Sequence, residues 1–176
     1  LAELFSDADY KFDSILSPLD SSNLFIRLID EEGLFSLYAT SPGSEEGEFI
    51  LEEWASISIK DISSDGKTLL LSGKEDSDDD LILFTIDLAG GAELIELDDD
   101  DLTSVSSAVF TADDQYVVYN IKTGTDYDDY EIRKVKTGVK EDVELLYEEA
   151  LLLDVEWKVM DNFDSYNYFL SPVTVY

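Results

Sequence analysis

One turn returns at a fixed interval along this chain, each time followed by an apolar run of strand character. Ser63-Ser64-Asp65-Gly66-Lys67-Thr68-Leu69-Leu70-Leu71 has its counterpart 48 residues on, in Thr111-Ala112-Asp113-Asp114-Gln115-Tyr116-Val117-Val118-Tyr119. Val159-Met160-Asp161 with Ser165-Tyr166-Asn167-Tyr168-Phe169 repeats the form a further 48 on, and Pro18-Leu19-Asp20-Ser21-Ser22-Asn23-Leu24-Phe25-Ile26 precedes the reference by 45. Asp20, Asp65, Asp113 and Asp161 thus mark one turn used four times. An Asp at such a position accepts hydrogen bonds from the backbone two residues on and fixes the connection. A period of about 45–50 residues is that of β-propeller blades of four strands each.

The intervals between the turns divide accordingly. The first repeat reads as strands over 12–17, 24–30, 34–40 and 48–51. The second gives 56–62, 68–72, 81–88 and 92–97, and the third 106–111, 116–122, 130–136 and 143–147. Period-2 alternation, as in Tyr130-Glu131-Ile132-Arg133-Lys134-Val135, is the mark of a strand with two unlike faces. Unbroken runs such as Leu69-Leu70-Leu71 suit central strands covered on both faces. Only Glu141 to Leu153 mixes strand and helix periods. All nine glycines fall between the expected strands, where a positive φ costs glycine nothing. The sequence therefore predicts an all-β chain of 1–176, a propeller or propeller fragment. Its repeats run over 12–54, 55–101 and 102–150, with a partial fourth at 151–176; Leu1 to Phe5 is a candidate outer strand to complete the fourth. Trp54 and Trp157 are expected between blades.

Ser64-Asp65-Gly66-Lys67, the strand Leu69-Leu70-Leu71-Ser72, an acidic hairpin, and Asp80-Leu81-Ile82-Leu83-Phe84-Thr85-Ile86-Asp87-Leu88-Ala89-Gly90-Gly91 together resemble the TolB-type, WD-like propeller repeat. Asp126-Tyr127-Asp128-Asp129-Tyr130-Glu131-Ile132 fits the same turn and strand. The likeness covers most of the chain and is strongest over 56–147. Two departures stand out: the proline usual before the turn Asp is out of register at Pro18 and absent elsewhere, and the third and fourth repeats lack the turn glycine. Such propellers usually carry six to eight blades, so the resemblance implies a fragment or one part of a larger chain or assembly, with a partner over its outer blade faces. The same repeat resembles the gating propellers of prolyl oligopeptidase-type peptidases, whose catalytic residues would lie on another segment.

Charge and residue types narrow the chemistry. Forty-two acidic residues against eleven basic ones give a net charge of −31, a field that repels nucleic acid and anionic membrane surfaces. A hydrophobic fraction of 44% separates the chain from an acidic disordered tail. No apolar run is long enough for a bilayer-spanning helix. With no His and no Cys, neither a Ser-His-Asp nor a Cys-His nucleophile can be assembled from these residues. Gly90-Gly91 lacks the rest of a phosphate loop. The remaining constellation is a set of acidic turns: Asp76, Asp78 and Asp80 on one, and Asp126, Asp128 and Glu131 on another, with Asp98-Asp99-Asp100-Asp101 as a third cluster. Clustered carboxylates supply the oxygens calcium requires, although Leu81 stands where an EF-hand loop has glycine. The competing reading is solvated hairpin tips that guard strand edges.

The expectation is therefore a non-catalytic binding or scaffold propeller of the extracellular space or cell envelope, engaging a protein partner or other parts of a larger propeller. It requires no cofactor, with calcium as the candidate ion. The alternatives are the propeller of a larger hydrolase and a calcium-stabilised extracellular module.

Overall fold

The computed structural model describes residues 10–16, 23–44, 46–91, 93–98, 102–122, 130–140 and 143–147. They form three four-stranded antiparallel sheets, each a simple meander. The first holds β1 (Lys11–Leu16), β2 (Leu24–Ile29), β3 (Phe35–Thr40) and β4 (Gly47–Trp54). The second holds β5 (Ser56–Ile62), β6 (Thr68–Lys74), β7 (Ile82–Asp87) and β8 (Glu93–Glu96). The third holds β9 (Ser104–Phe110), β10 (Tyr116–Lys122), β11 (Tyr130–Lys136) and β12 (Val143–Tyr147). These are the four-stranded blades of a β-propeller or propeller fragment. Part of the ambiguous 141–153 stretch is strand β12. Asp20, Asp161, Trp157, Pro18, Leu1 to Phe5 and the partial fourth repeat lie outside the described residues.

The repeated turn is the same object in blades two and three. Asp65 Oδ1 accepts from Ser63 Oγ at 2.8 Å and from the Lys67 amide at 3.1 Å; Asp113 Oδ1 accepts from Thr111 Oγ1 at 2.7 Å and from the Gln115 amide at 3.2 Å. The hydroxyl then accepts from the first residue of the next strand, Thr68 onto Ser63 at 2.9 Å and Tyr116 onto Thr111 at 3.1 Å. The backbone is left-handed at Gly66 (φ 70°) and, in the matching place, at Asp114 (φ 55°). Loss of the turn glycine has thus left the turn's shape unchanged. These bonds to the charged form hold both carboxyls below the usual aspartate range, the side-chain hydroxyl being the largest cause.

The core lies between blades. Leu69, Leu70 and Leu71 are all fully buried, as an unbroken run requires. Leu69 and Leu71 face blade one with Phe84 and Ile86, against Phe25, Leu37, Ile50 and Trp54. Leu70 faces blade three with Leu83 and Leu97, against Val105, Phe110, Val117 and Tyr119. Full burial of each such side chain stabilises by about 1.5–3 kcal/mol. Trp54 packs its ring on Phe84 at 5.0 Å between centroids.

Two expectations need correcting. Gly47 and Gly73 lie inside β4 and β6, not between strands. The reason at Gly73 is space: a Cβ there would strike the Ser56 carbonyl oxygen and come within 3.0–3.1 Å of the Trp54 ring. β4 continues past Leu51 to Trp54 through register shifts; Glu53 takes a left-handed φ of 59° and gives its amide to Ser36 Oγ at 3.2 Å. Ile57 and Ile132 are buried, whereas Ile59 and Val109 are only partly covered and border a groove.

Candidate functional site

The first strands of blades two and three, β5 and β9, are edge strands of their sheets and run side by side across the seam. Between them lies a shallow, open groove of about 390 Å³, lined by Ser58, Ile59, Lys60, Ser106, Ala108 and Val109 together with Ser107. Each strand carries a β-bulge on this stretch. In β5, Ile59 pairs with Leu71 and Asp61 with Leu70, so Lys60 is the extra residue. In β9, Val105 pairs with Ile121 and Ser107 with Asn120, so Ser106 is the extra residue. An extra residue re-aims its side chain out of the regular pleat, and here both extra residues line the groove.

Lys60 reaches from β5 to β9, where its ammonium donates to the Val105 carbonyl at 2.8 Å. Burial depresses its pKa below the usual lysine value. Its neighbour Asp61 accepts from the Phe110 amide of blade three at 2.9 Å and from the Ile62 amide at 2.8 Å. Desolvation nonetheless raises the Asp61 pKa, with the Asp114 charge adding to it. Asp114 itself bridges back to blade two, its carboxylate accepting from the Ser64 amide at 2.9 Å and from the Ser64 hydroxyl. The groove is thus chemically mixed, with three hydroxyls, one ammonium and an apolar floor, on walls tied together from both sides.

The acidic turns are arranged differently from the sequence expectation. Asp76, Asp78 and Asp80 sit exposed on the β6–β7 turn. Asp79, which was not singled out, makes that turn's bonds: its carboxylate accepts from the Asp76 amide at 3.0 Å, and its carbonyl from Lys74 Nζ at 2.6 Å. Glu131 is engaged with Arg133 Nε at 2.8 Å. Asp126 and Asp128 lie outside the described residues. Among the described residues no group of three or more acidic side chains gathers around a point that could hold a metal ion.

Asp99 to Asp101 lie outside the described residues, and Asp98 itself departs from the solvated reading. It is buried, accepting from the Tyr119 hydroxyl at 2.6 Å and from Arg133 Nη1 at 3.0 Å. Burial, then the bond to Asp98, pushes the Tyr119 hydroxyl above its ordinary pKa. A run of four identical aspartates offers no local mark of which one turns inward. Lys60 was also missed, although a signal existed. The apolar positions of β5 fall at Ile57, Ile59 and Ile62, and the odd step between the last two is what an inserted residue produces.

Known structures share this architecture. TolB from Acinetobacter baumannii superposes with a TM-score of 0.57 at 17% identity, over 79% of this chain and 33% of that one. A putative TolB from Agrobacterium tumefaciens gives 0.56 at 17%, over 73% and 43%. A puromycin-hydrolyzing peptidase of Mycobacterium tuberculosis gives 0.52 at 21%, over 77% and 21%. The chain thus spans less than half the length of each, and at these identities the likeness is one of fold: a TolB-like β-propeller. No protein-family model and no curated protein matches the chain.

Proposed function

We propose that this chain is a non-catalytic propeller module of an envelope or extracellular assembly, and that it binds a protein partner in the groove between β5 and β9. The observation that carries the reading is the groove itself. Two bulged edge strands present hydroxyls, an ammonium and apolar side chains around a shallow, open groove of about 390 Å³. Concave surfaces of this mixed kind are where ligands bind. The TolB-like fold supports the envelope location, and the lack of His and Cys among the 176 residues supports the non-catalytic role.

The test is retention of proteins from an envelope extract on the immobilised chain, against a Ser106→Trp variant that fills the exposed rim of the groove. Retention by the parent and loss by the variant, at equal melting temperature, is the expected result. Equal retention by both would remove the groove from the function. A second reading, the propeller of a larger peptidase, draws support from the likeness to the puromycin-hydrolyzing enzyme. A hydrolase domain encoded in the same reading frame would favour it.

A further inference from the structure

Resting on the reading of the groove as a binding surface, we infer that its ligand presents a carboxylate and that the Lys60 ammonium is the group that receives it. In a chain of net charge −31, basic side chains have carboxylates to spare. Arg27, Lys67, Arg133, Lys134 and Lys140 are each in an ion pair. Lys60, like Lys11, Lys74, Lys122 and Lys136, is in no ion pair among the described residues; what sets it apart is that its half-buried ammonium lies in the groove, with the neutral Val105 carbonyl as its partner. An ammonium has three donors, and the Val105 carbonyl uses one. A half-buried cation held without a counter-ion is costly, and the strand has been bulged at that residue to place it in the groove.

The surroundings fit a carboxylate. Ser58 and Ser107 line the same space with hydroxyls able to donate to a second oxygen, while the Ser106 hydroxyl donates to the Asn120 carbonyl at 3.4 Å, and Ile59, Ala108 and Val109 supply apolar contact for the carbon attached to it. The nearest acid in sequence, Asp61, is committed to the Phe110 and Ile62 amides. The protein's overall negative field opposes an incoming anion only weakly. Exposed charges more than about 8–10 Å away are screened at physiological salt, whereas a contact with a partly desolvated ammonium is not. The depressed pKa of Lys60 is consistent with an absent counter-charge, and a bound carboxylate would reverse it.

The probe is malonate, with malonamide as its neutral analogue and inorganic phosphate as the other oxyanion, all at fixed ionic strength. The readouts are the lysine side-chain NMR spectrum, with Lys60 assigned by the loss of its signal in Lys60→Arg, and the backbone amide signals of Ser106 to Val109, which follow binding in the Lys60 variants. Malonate should shift the Lys60 signal saturably and raise its titration midpoint by about one pH unit. Lys60→Met should weaken malonate binding on the order of 10- to 100-fold, the loss of a charge-assisted hydrogen bond, and Lys60→Arg should retain it. Malonamide should leave the signal in place. No saturable shift, an equal shift in Lys60→Met, or binding of phosphate but not malonate would each overturn the inference. The two readings fail separately: if Ser106→Trp abolishes partner retention but malonate does not bind, the groove stands and the carboxylate does not.

Discussion

The seam between blades one and two and the seam between blades two and three follow the same repeat yet hold by different means. The first is dominated by apolar and aromatic contact, with Trp54 on Phe84 at its centre, and is crossed by a bond from Arg27 Nη1 to the Ile57 carbonyl at 2.6 Å. The second also has an apolar cluster, but a series of polar ties crosses it: Asp61 to Phe110, Asp114 to Ser64, Lys60 to Val105, Glu96 to Lys140, and the buried Asp98 with Tyr119 and Arg133. A propeller repeat specifies the spacing of blades but not what joins them. Apolar contact tolerates approximate geometry, whereas a set of directional bonds fixes one relative position. The groove lies on the seam that is fixed this way.

The strongest test of the contrast removes the centre of each seam. Trp54→Ala should cost about 3–5 kcal/mol, as truncation of a buried aromatic does. Asp98→Ala should cost about 1–3 kcal/mol, because it leaves the buried Tyr119 hydroxyl without its acceptor while Arg133 keeps its pair with Glu131. Urea unfolding at two salt concentrations checks both. A cost below about 1 kcal/mol for Asp98→Ala would mean that the polar ties are incidental. Tyr119→Phe isolates one bond of that cluster and should cost about 1–3 kcal/mol, since Asp98 loses a donor while staying buried. Trp54→Phe, which keeps an aromatic on Phe84, should be milder than Trp54→Ala.

Asp114 gives a smaller and sharper comparison with Gly66. Asp114→Ala removes the tie to Ser64 but keeps a left-handed residue, and should cost about 0.5–1.5 kcal/mol. Asp114→Gly removes the same tie but relieves the backbone, and should be about 1 kcal/mol more stable than Asp114→Ala. Equal melting of the two variants would mean that φ at 114 carries no strain.

The least of the expected effects is on pH dependence. The turn acids Asp65 and Asp113 have lowered pKa values, so the stability they give is present above the unfolded aspartate pKa and lost as pH falls through the folded one. Asp61 has a raised pKa, so its contribution has the opposite sign and is lost as pH rises. Asp61→Asn should therefore make acid destabilisation steeper, and Asp113→Asn should make it shallower. Thermal melts from neutral pH down through the carboxylate range would show whether the two slopes diverge.

The strands were legible because their signals are local. Alternation in Tyr130 to Lys136, the unbroken Leu69-Leu70-Leu71 and the paired Asp65 and Asp113 turns each say what they are within a few residues. The groove was less legible because it depends on the partner strand. That Lys60 and Ser106 are extra residues is a property of their pairing with β6 and β10, and only the odd step from Ile59 to Ile62 hints at it. Asp98 and Gly73 were illegible for a related reason. Their roles are set by what lies across the seam or above the strand, Tyr119 and Arg133 in one case and Trp54 in the other.

The cross-seam bonds named above join residues between 21 and 50 apart in sequence, about one repeat or less. Loop-closure entropy grows only slowly with length, and each closure here is short. Such an array has a low contact order for an all-β protein and can grow by adding one blade to the last. A repeat of 48 residues leaves a ribosome in roughly 2–10 s, while hairpins form in about 1–10 μs. Each sheet thus has ample time to assemble before the next is synthesised, and the Asp61, Asp98 and Asp114 ties close only when blade three arrives. Formation of the strands within a blade is therefore far too fast to limit the growth of the array.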